Sequence, residues 1–194
     1  LSELTKGEKT KARIIESFLR LVGRDGIGSA TMRSIAKEAD VTEGLLYRYF
    51  KNKDAMIDEI WGTFMEVMVQ EKRTIMSSDT TDEDVFRKWI HTSYRAYDEN
   101  PAAFALLFLE DGLELGTKNK NLRQEQFKLF KEFMESLANR GLLIIDDATL
   151  GTNLFAAQML VIPRLVHTGR MPGPATQYTD CMTLMTTRVL LKGE

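Results

Sequence analysis

Cysteine, proline and histidine are scarce: the 194 residues include 1 Cys, 4 Pro and 2 His. A single cysteine excludes an intrachain disulfide, so nothing in the composition asks for an oxidising compartment. There is no His-x-x-x-His and no Cys-x-x-Cys, so no metal site is expected. Glycine-rich phosphate loops are missing too, since Gly26-Ile27-Gly28 stands without the rest of such a motif. No serine sits in a nucleophile-elbow context. An enzyme and a bound cofactor are therefore disfavoured. Long hydrophobic runs are also lacking. The longest, Ala102 to Leu109, ends at Glu110-Asp111, whereas a spanning helix needs about 20 apolar residues. The first residues are polar and charged, unlike a signal region. A cytoplasmic protein with no membrane association is the expectation.

What is present is a globular composition. The chain is 43% apolar and 28% charged, with 13 Gly, too apolar for disorder and too poor in Gly and Pro for a fibrous chain. The net charge of −2 alone argues against a nucleic-acid binder. Its distribution argues the other way. Residues 1–55 hold 11 Lys/Arg against 8 Asp/Glu, net +3; the remainder hold 15 against 20, net −5. A mildly basic head before an acidic body suggests a nucleic-acid module on a second, differently employed unit.

Apolar residues recur at helical spacing almost throughout, which predicts an all-α fold of about nine helices. Ile14, Ile15, Phe18, Leu21 and Val22 mark a helix over 8–24, stopped by Gly26 and Gly28. Thr31 and Thr42 are predicted N-caps of two short helices ending near Ala39 and Tyr49. A longer helix begins at Asn52 or Lys53 and carries Trp61, Phe64, Met65 and Met68. After a polar link at 79–82, Val85, Phe86, Trp89, Ile90, Tyr94 and Tyr97 stripe the next, which Asn100-Pro101 ends. Phe104, Leu107 and Phe108 lie on a short helix stopped near Gly112 or Gly116. Phe127, Phe130, Met134 and Leu137 form a further stripe, closed by Gly141. Residues 146–167 read as a helix broken or bent at Pro163. Tyr178, Cys181, Met182, Met185 and Val189 stripe the last. The expected division is a head at 1–53 and a body at 54–194, with no flexible linker.

The segment Thr31 to Lys53 carries the functional signal. Two short helices meet at a tight turn, Ala39-Asp40-Val41, where small Ala36 and Ala39 allow close approach. This is the pattern of a helix-turn-helix, whose second helix fits a major groove about 12 Å wide. A plain helical hairpin shares that geometry. The outer residues Thr42, Glu43, Tyr47, Arg48 and Tyr49, followed by Lys51 and Lys53, favour the DNA-reading alternative.

The residues Thr31-x-Arg33-x-Ile35-Ala36-x-x-Ala39 and Val41-Thr42-x-Gly44-x-Leu46-Tyr47-x-Tyr49-Phe50-x-Asn52-Lys53 resemble the tetracycline-repressor-like (TetR) family of transcriptional regulators. The resemblance covers residues 9–60. Two positions depart from it: Asp40 replaces the usual turn glycine, and Leu45 replaces a small or hydroxylated residue. The resemblance implies a ligand-responsive regulator, a repressor by default, released from a palindromic double-stranded DNA operator by a small apolar or aromatic effector. Thr42, Glu43, Gly44, Leu45 and Arg48 would face base edges. Tyr47, Tyr49 and Lys53 would clamp phosphates, with Thr31 and Arg33 assisting. The alternative is a helical protein-binding adaptor or an enzyme on the same fold.

The body's aromatic and methionine stripes are ordinary core by composition. The resemblance implies a ligand cavity among them, walled by Trp61, Met65, Met68, Trp89, Tyr94, Tyr97, Phe104, Phe108, Phe130 and Met134. Gln158, Asn153, His91 and Asp111 are candidate polar contacts. It also implies a homodimer through the last two helices, with Phe155, Met159, Cys181, Met182, Met185 and Val189 at the interface. Cys181 is expected to be a small buried hydrophobe rather than a redox sensor.

Overall fold

The computed structural model describes residues 5–109 and 117–193, the side chains of 117 and 118 excepted. Among them are nine α-helices: α1 (Lys6–Asp25), α2 (Met32–Glu38), α3 (Glu43–Tyr49), α4 (Lys53–Met76), α5 (Asp82–Glu99), α6 (Pro101–Phe104), α7 (Thr117–Asn139), α8 (Ala148–His167) and α9 (Thr179–Leu190). A π-turn (Ala105–Leu109) follows α6 and a 3-10 turn (Ala175–Tyr178) precedes α9. The β-type pairing seen is a bridge between Leu143 and Leu191. The all-α expectation holds.

Local chemistry sets the helix starts. The side-chain oxygens of Thr5, Thr31, Thr42, Asn52, Thr81 and Asp147 each accept a first-turn backbone N–H. Such caps contribute about 1 kcal/mol each. Gly26 ends α1 at φ 79°. The α2–α3 turn places Asp40 at φ 51°, a left-handed conformation that Asp tolerates better than most residues. Val41 N–H then donates to Ala36 C=O at 3.0 Å, closing the turn.

One boundary differs from expectation. Pro163 lies buried within α8, and the helix runs through it unbroken. Its φ suits a helix, so the direct loss is the hydrogen bond to Met159 C=O. Phe155 and Met159 before it and Ile162 beside it are held in the core. The expected stop at Gly112 or Gly116, and Asp111, fall outside the described residues.

Two hydrophobic cores organise the chain. The first joins α1, α2 and α3 to Met56, Ile57, Ile60, Trp61, Met65 and Val69 of α4, and to Ala103, Leu106 and Leu107. The second gathers α5, α7, α8 and α9 with Phe104. Residue 53 is thus the start of a helix, and the head's packing continues beyond it along α4. Helices α1 and α6 also approach closely: a Cβ on Gly23 would lie 3.3 Å from the Ala102 Cβ.

Candidate nucleic-acid interface and buried polar core

The head presents α3 outward on a fixed base. Leu46 and Phe50 are buried in the first core with Ile35, Ala36 and Ala39. That leaves Thr42, Glu43, Gly44, Tyr47 and Arg48 exposed on one side, with Thr31 and Arg33 exposed beside them. Leu45 and Tyr49 are half-buried, and Tyr49 packs against the first core. Arg33 Nε lies 4.0 Å from Glu43 Oε1, an exposed pair whose net stabilisation is small. The Thr31 hydroxyl caps Ser34 N–H at 3.1 Å, and that of Thr42 caps Leu45 N–H at 3.2 Å. A Cβ added at Gly44 would meet open space. Nothing inside the protein therefore requires glycine there. The ten sequence-derived head residues lie on α2, α3 and their N-caps and at the start of α4. Lys53 is half-buried, and its Nζ donates to Ile27 C=O at 3.1 Å, tying α4 to the α1–α2 loop. Lys51 is the exposed cation next to it.

In the body the expected ligand residues are divided between the two cores. Trp61 and Met65 belong to the first core, and Met68 is buried further along α4. Trp89, Tyr94, Tyr97, Phe104, Phe130 and Met134 belong to the second, and half-buried Phe108 touches both. The rings pack against one another. Trp89 lies 4.6 Å from Phe130 and 5.8 Å from Phe155, while Phe104 lies 4.9 Å from Phe108 and 5.6 Å from Tyr97. A groove of about 440 Å³ opens elsewhere, lined by Ala12, Ile15, Leu19, Gly23, Asn100 and Ala102 among others, with none of the expected ligand residues.

The candidate polar contacts also change. His91 and Asn153 are exposed, and Asn153 Nδ2 donates to Thr149 C=O of its own helix. Gln158 Oε1 accepts from the Thr186 hydroxyl at 2.9 Å, joining α8 to α9. Among the described residues, the buried side-chain polar atoms without a hydrogen-bond partner are Lys72 Nζ, Trp89 Nε1 and the Tyr94 hydroxyl. Lys72 was missed from the sequence. Its signal was spacing: Trp61, Met65, Met68 and Lys72 follow i, i+4, i+7 and i+11 on one face of α4.

The expected dimer residues divide. Phe155, Met159 and Met182 are buried in the second core and face their own subunit. Cys181 is exposed, correcting its reading as a buried hydrophobe. Exposed Met185 and Val189 of α9 are joined by Leu184, and by Leu150, Leu154 and Val161 of α8. Both helices are apolar on more than one side, so the apolar pattern alone does not separate inward from outward residues. Asp98 of α5 fixes the approach to α9 by accepting from the backbone N–H groups of Ala175 and Thr176 at 2.6 and 2.9 Å.

A capped helix-turn-helix on an all-α body places the chain among helix-turn-helix proteins. Residues 14–60 match the family model described as bacterial regulatory proteins, tetR family. The chain is 33% identical over 144 residues to the HTH-type transcriptional repressor SCO4008 of Streptomyces coelicolor, covering 73% of this chain and 70% of that protein. It is 28% identical over 96 residues to the HTH-type transcriptional repressor KstR2 of Rhodococcus jostii, covering 50% of this chain and 47% of that relative. The fold matches the crystal structure of AibR in complex with isovaleryl coenzyme A and operator DNA, with TM-score 0.72, 17% identity, and coverage of 91% and 97% of the two chains. The chain belongs to the tetR family of bacterial regulatory proteins. No helix among the described residues is long and apolar enough to cross a membrane.

Proposed function

We propose that the protein is a dimeric, ligand-responsive transcriptional repressor rather than an enzyme. Its α3 reads a palindromic operator, and a small molecule bound in the body releases it. The carrying observation is the exposed face of α3 held by the buried Leu46 and Phe50. Thr42, Glu43, Leu45 and Arg48 are assigned to base edges, and Tyr47, Tyr49 and Lys51 to phosphates. Thr31 and Arg33 flank them, and Lys53 braces the loop. AibR, with operator and isovaleryl coenzyme A, supports the two-ligand reading. The exposed apolar residues of α8 and α9 are assigned to the dimer, which would set two heads about 34–36 Å apart on successive major grooves.

Titration of operator fragments at two salt concentrations tests the DNA assignment. Lys51→Ala should weaken binding to every sequence and flatten the slope of log K against log salt by roughly one unit per subunit, because one phosphate contact is lost. Arg48→Ala should cost about 1–3 kcal/mol at one base pair and relax preference only there. An unchanged operator preference and an unchanged slope in both variants would remove α3 as the reading helix. Sedimentation tests the dimer: Met185→Glu should shift it toward monomer, by setting an unpaired charge in an apolar interface. A wild-type monomer at micromolar concentration would overturn that assignment.

A further inference from the structure

Lys72, Trp89 and Tyr94 hold the side-chain polar atoms that are buried without a partner among the described residues. All three lie in the body. An ammonium and an indole N–H only donate, and leaving them dry and unpaired is costly. The side chains of Lys72 and Trp89 both pack on one ring. Lys72 Nζ lies over the Phe130 face, 4.7 Å from its centroid, and the Trp89 ring packs 4.6 Å from the same centroid. Phe155 and Phe133 complete the surroundings of Trp89, at 5.8 and 5.5 Å. The nearest carboxylate in sequence, Glu71, has both oxygens 2.7 Å from Arg95 Nη2 of α5 and is engaged there.

We propose that Lys72 and Trp89 anchor the acidic head of the effector, an organic carboxylate whose apolar tail lies among Phe130, Phe133 and Phe155. The assignment rests on the ligand-responsive reading above. A cation with three protons and an indole N–H offer donors and one positive charge, and no acceptor meets them among the described residues. A neutral carbonyl would meet the hydrogen bonds but leave the charge unbalanced; a carboxylate meets both. The Phe130 face compensates the ammonium in part. Burial holds the Lys72 amine down at about 7, against the opposing field of Glu71, so an arriving carboxylate finds a group that gains its proton readily. The rings fill the site in its present form, so binding requires them to part. Lys72 sits on α4, the helix whose first half packs into the head.

The test uses the full-length protein with octanoate and 4-phenylbutanoate, and with 1-octanol and 4-phenylbutanol as matched neutral probes. The acids should raise the melting temperature and the alcohols should not. The Trp89 indole proton resonance should move downfield with acid while that of Trp61 stays. Lys72→Met should weaken acid binding by about tenfold or more, the scale of a charged hydrogen bond, and Trp89→Phe by less. The proposal is overturned if neither acid binds, if the alcohols stabilise equally, or if Lys72→Met keeps the wild-type affinity. Failure of the regulator reading would appear separately. Acid binding at Lys72 with operator affinity unchanged would retain this site and sink the switch.

Discussion

The two cores of this protein are built to different standards. In the head, apolar residues fill the interior, and the buried Ser17 accepts a hydrogen bond from Arg20 Nη2 at 2.9 Å. In the body, an equally buried interior contains three polar atoms with no partner among the described residues. Buried polar groups are normally satisfied, so the difference has a physical meaning. A reading head must hold α3 in one geometry, and a satisfied core does that. A body that responds to a small molecule gains from donors whose partner arrives from outside.

The largest expected effect comes from damaging the satisfied core. Leu46 is fully buried, and Leu46→Ala should destabilise by about 2–5 kcal/mol through lost transfer energy and a residual cavity. Operator binding should fall with it, since Leu46 anchors α3. Denaturant titration and operator binding on the same samples check this. A loss below about 1 kcal/mol, the level of an uncollapsed surface change, would mean that the head core is as loosely determined as the body's.

Lys72 gives the opposite sign. Its amine titrates at about 7 in the folded chain, against an ordinary value of 10.5. Below pH 7 both states hold the proton, and the full cost of burying the cation is present. Between pH 7 and 10.5 the unfolded chain holds a proton that the folded chain has released, so stability rises with pH across that window. From pH 7 to 9.5 the gain should be about 2–3 kcal/mol. Above pH 10 Tyr94 works against it, because burial raises its phenol and only the unfolded chain then ionises. Lys72→Met should be more stable than the parent at pH 7, by about 1–3 kcal/mol, and should lose the pH slope. A destabilised Lys72→Met with the slope intact would mean that Lys72 is paired and that the contrast between the cores is false.

The head was legible because its determinants are local. Thr31, Thr42 and Asn52 act within three residues as caps, Asp40 acts within its own turn, and Ala36 and Ala39 set the helix spacing across that turn. The body was legible as helices but not as a site. Trp61 and Trp89 look alike in sequence, yet one packs with the head and the other with α7 and α8, a distinction that depends on how distant helices dock. The inward and outward faces of α8 are both apolar, with Phe155, Met159 and Ile162 on one and Leu150, Leu154 and Val161 on the other. Periodicity finds both faces and cannot rank them. Lys72 continues the stripe of Trp61, Met65 and Met68. Lys72 is also the last buried residue of α4, and a charge at the end of an apolar stripe usually lies in solvent, so the pattern alone does not show that this one is inside.

The smallest expected change in stability carries the finest distinction, because it separates folding from reading within the head. Gly44 lies in the first turn of α3, and a Cβ there would meet open space. The protein's own packing gives no reason for glycine, and alanine is the better helix former. Gly44→Ala should therefore fold normally and gain up to about 1 kcal/mol. If α3 lies in a major groove with Gly44 against the DNA, the added methyl group must displace it, and operator affinity should fall by about tenfold, an effect that a misplaced contact of 1–2 kcal/mol produces. The two readouts then move in opposite directions in one variant. Unfolding midpoints and operator titrations at a single salt concentration measure both. A variant that is more stable and binds operator as tightly as the parent would place Gly44 away from the DNA, and would shift the reading surface toward Tyr47 and Arg48 at the other end of α3.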